Sequence, residues 1–197
     1  MKKYLFTALA AMAMFTSCNN DDDDVATAKT DVSFEAGSIA PSATRTAQQI
    51  PGVDSVIVAV STLTLNVNGQ SVTYTKEDGN GYIDLLSFES TDTLIWTEET
   101  LPVGEVEDAT LSLDKNDISY VVESADLTEQ VNLKIAHKEL DFTIESDSAV
   151  AANTKYIIQL DMDGSLRLVQ NGNGDYVLQQ GTAGAPKTGV LTLVKAQ

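Results

Sequence analysis

The feature that most constrains this chain is the spacing of its apolar residues. From Asp54 onward they recur at every second position in short runs, and nowhere in that region do they sustain the 3.6-residue period of an amphipathic helix. Period-two alternation in Val, Ile, Leu and Thr is the signature of a pleated, half-buried surface. Asp54 to Val67 is the richest such run, and it carries a break: Val56, Val58 and Val60 share one parity, whereas Leu63, Leu65 and Val67 share the other. A parity change inside one strand signals a bulge or a bend between sheets. Asn68-Gly69 then supplies a two-residue hairpin turn, with Val72 and Tyr74 on the return strand.

The rest of the chain repeats this texture. Val106, Ala109, Leu111 and Leu113 form a strand in which Ala109 breaks the alternation. Val131, Leu133 and Ile135 alternate on one parity and Leu140, Phe142 and Ile144 on the other, so Ala136 to Glu139 is expected to be a bulge or turn between paired strands. Tyr156, Ile158, Leu160 and Met162 make the clearest strand, which Asp163-Gly164 is expected to turn back as Leu166 and Leu168. Ser124 to Gln130 is the one stretch that suits a helical turn, with Ser124 as its cap. Val190 to Val194 forms a terminal strand. About ten strands are too many for one flat sheet of this size, so the expectation is an all-β sandwich.

The N-terminus is built differently. Lys2 and Lys3 precede an apolar run from Tyr4 to Phe15, which is too short to span a hydrocarbon core of roughly 30 Å. It ends in Thr16-Ser17-Cys18, and Cys18 is the single cysteine of the chain. This arrangement resembles the lipobox of bacterial lipoproteins, with Phe15 in place of the usual Leu. The resemblance implies cleavage after residue 17 and acylation (palmitate-type chains) of Cys18, hence outer-membrane lipid as a partner. Acyl chains contribute about 0.8 kcal/mol per buried CH₂, so several together make a durable anchor. Asn19, Asn20, Asp21, Asp22, Asp23 and Asp24 follow, and this run resembles the surface-export signal of Bacteroidetes-type lipoproteins. A plain solvated spacer is the alternative reading. The expected organisation is a signal peptide over 1–17, a lipidated cysteine with a disordered acidic tether over 18–30, and one sandwich domain over 31–197.

Charge and composition exclude some functions. With 12 Lys and Arg against 29 Asp and Glu, the formal net charge is −17. Such a chain does not bind nucleic acid through phosphate neutralisation. Once Cys18 is acylated no disulfide can form, so the fold must rest on its apolar core.

Three segments taken together carry a family resemblance. They are Tyr82-Ile83-Asp84-Leu85-Leu86-Ser87; Leu101-Pro102-Val103-Gly104-Glu105-Val106 with Leu111-Ser112-Leu113; and Ala151-Ala152-Asn153-Thr154 leading to Gln159-Leu160-Asp161-Met162-Asp163. They resemble the lipoprotein domain of unknown function 4382 over roughly residues 54–180, with Val106 at a Tyr position and Asn153 at a Gly position. The resemblance implies an immunoglobulin- or prealbumin-like β-sandwich on an exported lipoprotein, and it implies no activity. Separately, Val32-Ser33-Phe34-Glu35 followed by Ala43-Thr44-Arg45-Thr46 looks like the start of fimbrillin-type lipoproteins, whose maturation cuts after an arginine.

The residues that carry chemistry are sparse. His137 is the only histidine, and beside Lys138 and Glu139 at a parity break it is expected to be a solvated turn residue rather than a catalytic base. One histidine and one acylated cysteine do not assemble a zinc site. Asp161 and Asp163 share a strand face at a DG turn, where turn geometry, calcium and a carboxylate pair are the competing readings. Trp96 is the candidate for stacking a sugar, with Tyr74, Tyr82, Tyr120, Tyr156 and Tyr176 as further aromatics. Asp92-Thr93-Leu94 and Asp147-Ser148-Ala149 match a tripeptide that is O-glycosylated in exported proteins of this lipoprotein group, marking Thr93 and Ser148. The sequence thus leads to a non-catalytic, cofactor-free lipoprotein at the outer-membrane surface, binding an extracellular glycan or protein. A fimbrillin-type structural subunit is the alternative.

Overall fold

A computed structural model of the chain describes residues 26–34, 52–76, 81–86, 93–114, 119–145, 149–162, 164–181 and 188–196. Every regular element among them is a strand: β1 (Thr27–Phe34), β2 (Val53–Val67), β3 (Gln70–Thr75), β4 (Tyr82–Asp84), β5 (Thr93–Pro102), β6 (Gly104–Leu113), β7 (Tyr120–Glu123), β8 (Asp126–Ile135), β9 (Glu139–Ile144), β10 (Ala149–Val150), β11 (Lys155–Asp161), β12 (Leu166–Gln170), β13 (Tyr176–Gln180) and β14 (Gly189–Lys195). The fold is all-β and sandwich-like, as the alternation predicts.

The long strand β2 joins the two halves. Its first part pairs with β7 (Val53↔Glu123 to Ile57↔Tyr120) and with β4 (Ile57↔Asp84 to Ala59↔Tyr82). Its second part pairs with β3 and β6. The register shifts between Val60 and Thr62, which is where the apolar parity changes. Val56, Val58 and Val60 on one side of the shift and Leu63, Leu65 and Val67 on the other are all buried in one core. The strands follow one hydrogen-bonded path, β12-β13-β8-β7-β2-β6-β9-β14-β11-β1-β5, with β10 beside β6. The bend in β2 divides it into a first sheet, β3-β2-β6-β9-β14-β11-β1-β5, and a second, β12-β13-β8-β7-β2-β4. The first sheet curls until its outer strands meet. The Tyr74 hydroxyl of β3 donates to the Thr100 carbonyl of β5 (3.3 Å), and the Lys76 ammonium donates to the Ile95 carbonyl.

Local irregularities follow from the residues. The Asn68-Gly69 turn has φ of 48° and 74°, as a type I′ hairpin requires. The break at Ala109 is a bulge: Asn66 faces Asp108 and Val67 faces Val106, leaving Glu107 unmatched. Gly104, at φ 147°, lies against the Asn68 side chain, whose Oδ1 accepts the Glu105 N–H (3.0 Å). A Cβ on Gly104 would stand 2.3 Å from Asn68 Nδ2.

Four expectations are corrected. Residues 18–30 do not all form a tether, because β1 begins at Thr27 between β11 and β5, with Ala28 and Thr30 buried. Ser124 to Gln130 is not helical: Ser124 and Ala125 turn the chain directly into β8, and Asp126 Oδ1 accepts both the Thr128 N–H (2.9 Å) and its hydroxyl (2.7 Å). The capping-type hydrogen bonds belong to Asp126 and not to Ser124, and pairing of Val131 with Val121 commits the segment to a strand. Ala136 to Glu139 does not join paired strands. Strand β8 lies between β7 and β13, whereas β9 lies between β6 and β14, so the parity break is a crossing between sheets. Likewise β12 does not return along β11 but pairs with β13 in the other sheet.

Strand β1 is clamped at a second bulge. Thr30 faces Glu99 and Val32 faces Trp96, which crowds Thr97 and Glu98 opposite Asp31. Glu98 adopts φ 55°; Asp31 Oδ1 accepts its N–H (2.8 Å), and Lys155 bridges Asp31 (2.9 Å) and Glu98. The Glu98 N–H and then Lys155 hold the Asp31 carboxyl below its ordinary range. A carboxylate with a lowered native pKa stabilises the fold above its unfolded pKa of about 4, and that contribution is lost as pH falls.

Two outcomes are expected. Asp31→Asn should lower stability in denaturant titration by about 1 kcal/mol at pH 7, with the gap to wild type narrowing below about pH 4. A gap unchanged at pH 3 contradicts the clamp. Gly104→Ala should destabilise by about 1–3 kcal/mol, whereas Gly172→Ala, where a Cβ meets nothing within 4 Å, should stay within about 0.5 kcal/mol.

Candidate functional site

The crossing from β8 to β9 creates the site. Where the chain leaves the second sheet at Ile135 and enters the first at Glu139, an open groove of about 450 Å³ lies beside the crossing. Ala136, His137, Lys138, Glu139 and Asp141 line one side, and Gln180 and Gly181 at the end of β13 line the other. His137, Lys138, Glu139 and Asp141 are all exposed.

Gln180 ties the walls together. Its Oε1 accepts the Asp141 N–H (3.1 Å), and its Nε2 donates to the Asp141 carbonyl (3.0 Å). The Asp141 carboxylate accepts the Thr110 hydroxyl on β6 (3.2 Å). The amide of Gln180 thus spends one donor and one acceptor on the Asp141 backbone, and the charged and polar side chains that line the groove beside it are those of His137, Lys138, Glu139 and Asp141. The groove is polar, and among the described residues no Phe, Tyr or Trp lines it. It offers hydrogen bonding and charge to a ligand, not stacking.

Trp96 is not a stacking platform. It is 3% exposed, its ring lying 6.4 Å from that of Tyr74 in the core, and its Nε1 has no hydrogen-bond partner among the described residues. The cause is its register opposite Val32, which puts it on the inward face of β5. Of the tyrosines, Tyr74, Tyr156 and Tyr176 are also buried, and Tyr82 is 41% exposed. His137 is exposed at the crossing, as a turn residue should be. Thr93 is the first residue of β5. Cys18, Asn19, Asn20, Asp21 to Asp24, Arg45, Ser148 and Asp163 lie outside the described residues. Asp161 ends β11. Among the described residues no three His, Cys, Asp or Glu side chains gather in a way that could hold a metal ion, and no helix is long and apolar enough to cross a membrane.

Glu139, Asp141 and Gln180 escaped the sequence reading as site residues. The signal that could have found them was the parity break at Ala136 to Glu139, since a chain that changes sheets leaves a strand edge behind.

A family model described as "Domain of unknown function (DUF4382)" matches residues 46–179. The chain belongs to this family. The match takes in β2 through β12 and most of β13, including the groove wall from Ala136 to Asp141 and stopping one residue short of Gln180. Searches of curated proteins and of solved structures returned no match.

The orphaned indole gives an expectation. Trp96→Phe, which removes the N–H, should change stability by no more than about 1 kcal/mol, while Trp96→Ala should cost about 3–5 kcal/mol in a denaturant titration. A Phe variant as unstable as the Ala variant would show that the N–H has a partner in solution.

Proposed function

We propose that this DUF4382 protein is a non-catalytic lipoprotein of the outer-membrane surface whose sandwich acts as an extracellular binding or adhesion module. The observation that carries the reading is the open, polar groove between Ala136 and Gly181, placed where the chain crosses from β8 to β9 and lined by exposed charged side chains. Such grooves on a rigid scaffold suit recognition of a hydroxylated or charged partner, glycans included. Cys18 would carry the acyl chains, and Asn19 to Asp24 would direct the protein to the outer face. The acidic balance of the chain keeps the body off anionic headgroups and leaves attachment to the lipid.

The test is protease shaving of intact cells followed by mass spectrometry, then a glycan-array screen of the released domain. Peptides from residues 54–195 should be released from intact cells, and array binding should fall at least tenfold in the variant carrying both His137→Ala and Lys138→Ala. A domain shielded until the cells are lysed would remove the surface assignment.

One observation favours a second reading, a structural subunit of a surface appendage. Strand β1 is the first of the described strands yet lies between β11 and β5, so its departure would open an edge on each neighbour. Cleavage after Arg45 in the mature protein together with concentration-dependent polymers would support it, and an intact monomer would not.

A further inference from the structure

Strand β9 has one edge already paired and another that is only partly filled. It faces β6 in the register Ser112↔Glu139, Leu111↔Leu140, Thr110↔Asp141 and Ala109↔Phe142. In an antiparallel ladder successive residues direct their peptide groups to opposite edges. The Leu113 N–H donates to the Lys138 carbonyl (2.8 Å), so Lys138, Leu140 and Phe142 face β6. Glu139, Asp141 and Thr143 therefore face away from it.

Those three outward positions meet three fates. Thr143 stands in register with Val190 of β14. Asp141 is bonded through both its N–H and its carbonyl to the side-chain amide of Gln180. Glu139 has no backbone partner among the described residues, and it opens into the groove. A primary amide presents the same donor and acceptor as a peptide group. Gln180 thus occupies at Asp141 the place that the backbone of a neighbouring strand would take, and at Glu139, the next place along, no described residue fills it.

We propose that the groove receives an extended, basic peptide segment that adds to the edge of β9, its backbone pairing with the N–H and carbonyl of Glu139. The proposal rests on the binding-module reading and names the partner's chemistry. Strand addition draws its affinity from main-chain hydrogen bonds and its specificity from alternate side chains. Here the alternate side chains it would meet are the Glu139 and Asp141 carboxylates, which share a face and are exposed, so Lys or Arg opposite them is favoured. The net charge of −17 attracts such a segment from a distance. Lys138, which lines the groove beside Glu139, makes no ion pair among the described residues and suits an acidic residue or a terminal carboxylate of the segment. Gln180 at Asp141, with β14 beyond it, closes one end of the edge, so the pairing is centred on Glu139.

The test uses the full mature chain in detergent and fluorescence anisotropy at low salt. The probes are a labelled six-residue peptide of alternating Lys and Val, its alternating Glu and Val counterpart, and the Lys-Val peptide with every backbone nitrogen methylated. The Lys-Val peptide should bind, with both counterparts at least tenfold weaker. Glu139→Pro removes the edge N–H at a position that an outer edge tolerates, and should weaken binding at least tenfold with an unchanged thermal midpoint. Gln180→Ala uncovers the Asp141 peptide group and should tighten binding about three- to tenfold. A Gln180 with a merely structural role would leave affinity unchanged or reduced. If Glu139→Pro fails to fold, the methylated peptide and Gln180→Ala decide. Equal binding of the acidic or methylated peptide, or no gain with Gln180→Ala, overturns the proposal. Failure of every peptide alongside a positive glycan array overturns it and leaves the binding-module reading standing, whereas failure of both removes both.

Discussion

Strand β2 hydrogen-bonds to four other strands, β3, β4, β6 and β7, more than any other element among the described residues. It can do so because one register shift between Val60 and Thr62 lets its apolar residues face the core on both sides of the bend. Without that shift, period-two alternation would carry either the valines or the leucines out into water, and burying a side chain of this size stabilises by about 1.5–3 kcal/mol. The division into two sheets at β2 follows from this requirement. A single strand has to serve two sheets around one core.

Much of this was legible because parity is a strict code. The break within Asp54 to Val67 announced the bend, and the Ala109 irregularity corresponds to the bulge at Glu107. What parity does not reveal is the partner of a strand. The breaks at Ala136 to Glu139 and at Asp163-Gly164 look from the sequence like hairpin turns, and both are crossings between sheets. The start of β1 was obscured for another reason. Ala28 and Thr30 alternate correctly with Val32 and Phe34, but small and hydroxylated side chains carry too little apolar signal to separate a strand from a solvated tether.

The site shows the same division. His137 and Lys138 could be flagged as exposed charge at a break, but the pairing of Gln180 with Asp141 joins residues 39 positions apart and has no local signature. Trp96 failed as a ligand platform because the aromatic content of a strand says nothing about which face turns inward. Its register opposite Val32 decides that, and the register depends on the bulge at Glu98. Membership of DUF4382 agrees with the three turn segments that carried the resemblance. One of them has a physical explanation here, since Gly104 is needed for the close approach of Asn68.

The account places its functional weight on one strand edge, with the peptide group of Asp141 covered and that of Glu139 uncovered. Amide hydrogen exchange by NMR on the mature chain addresses this residue by residue. The Asp141 and Leu140 amides should exchange slowly and the Glu139 amide fast, with Glu139 alone of the three gaining protection when the Lys-Val peptide is added. A Glu139 amide already protected in the free protein, or one that stays fast while binding occurs, would contradict the account.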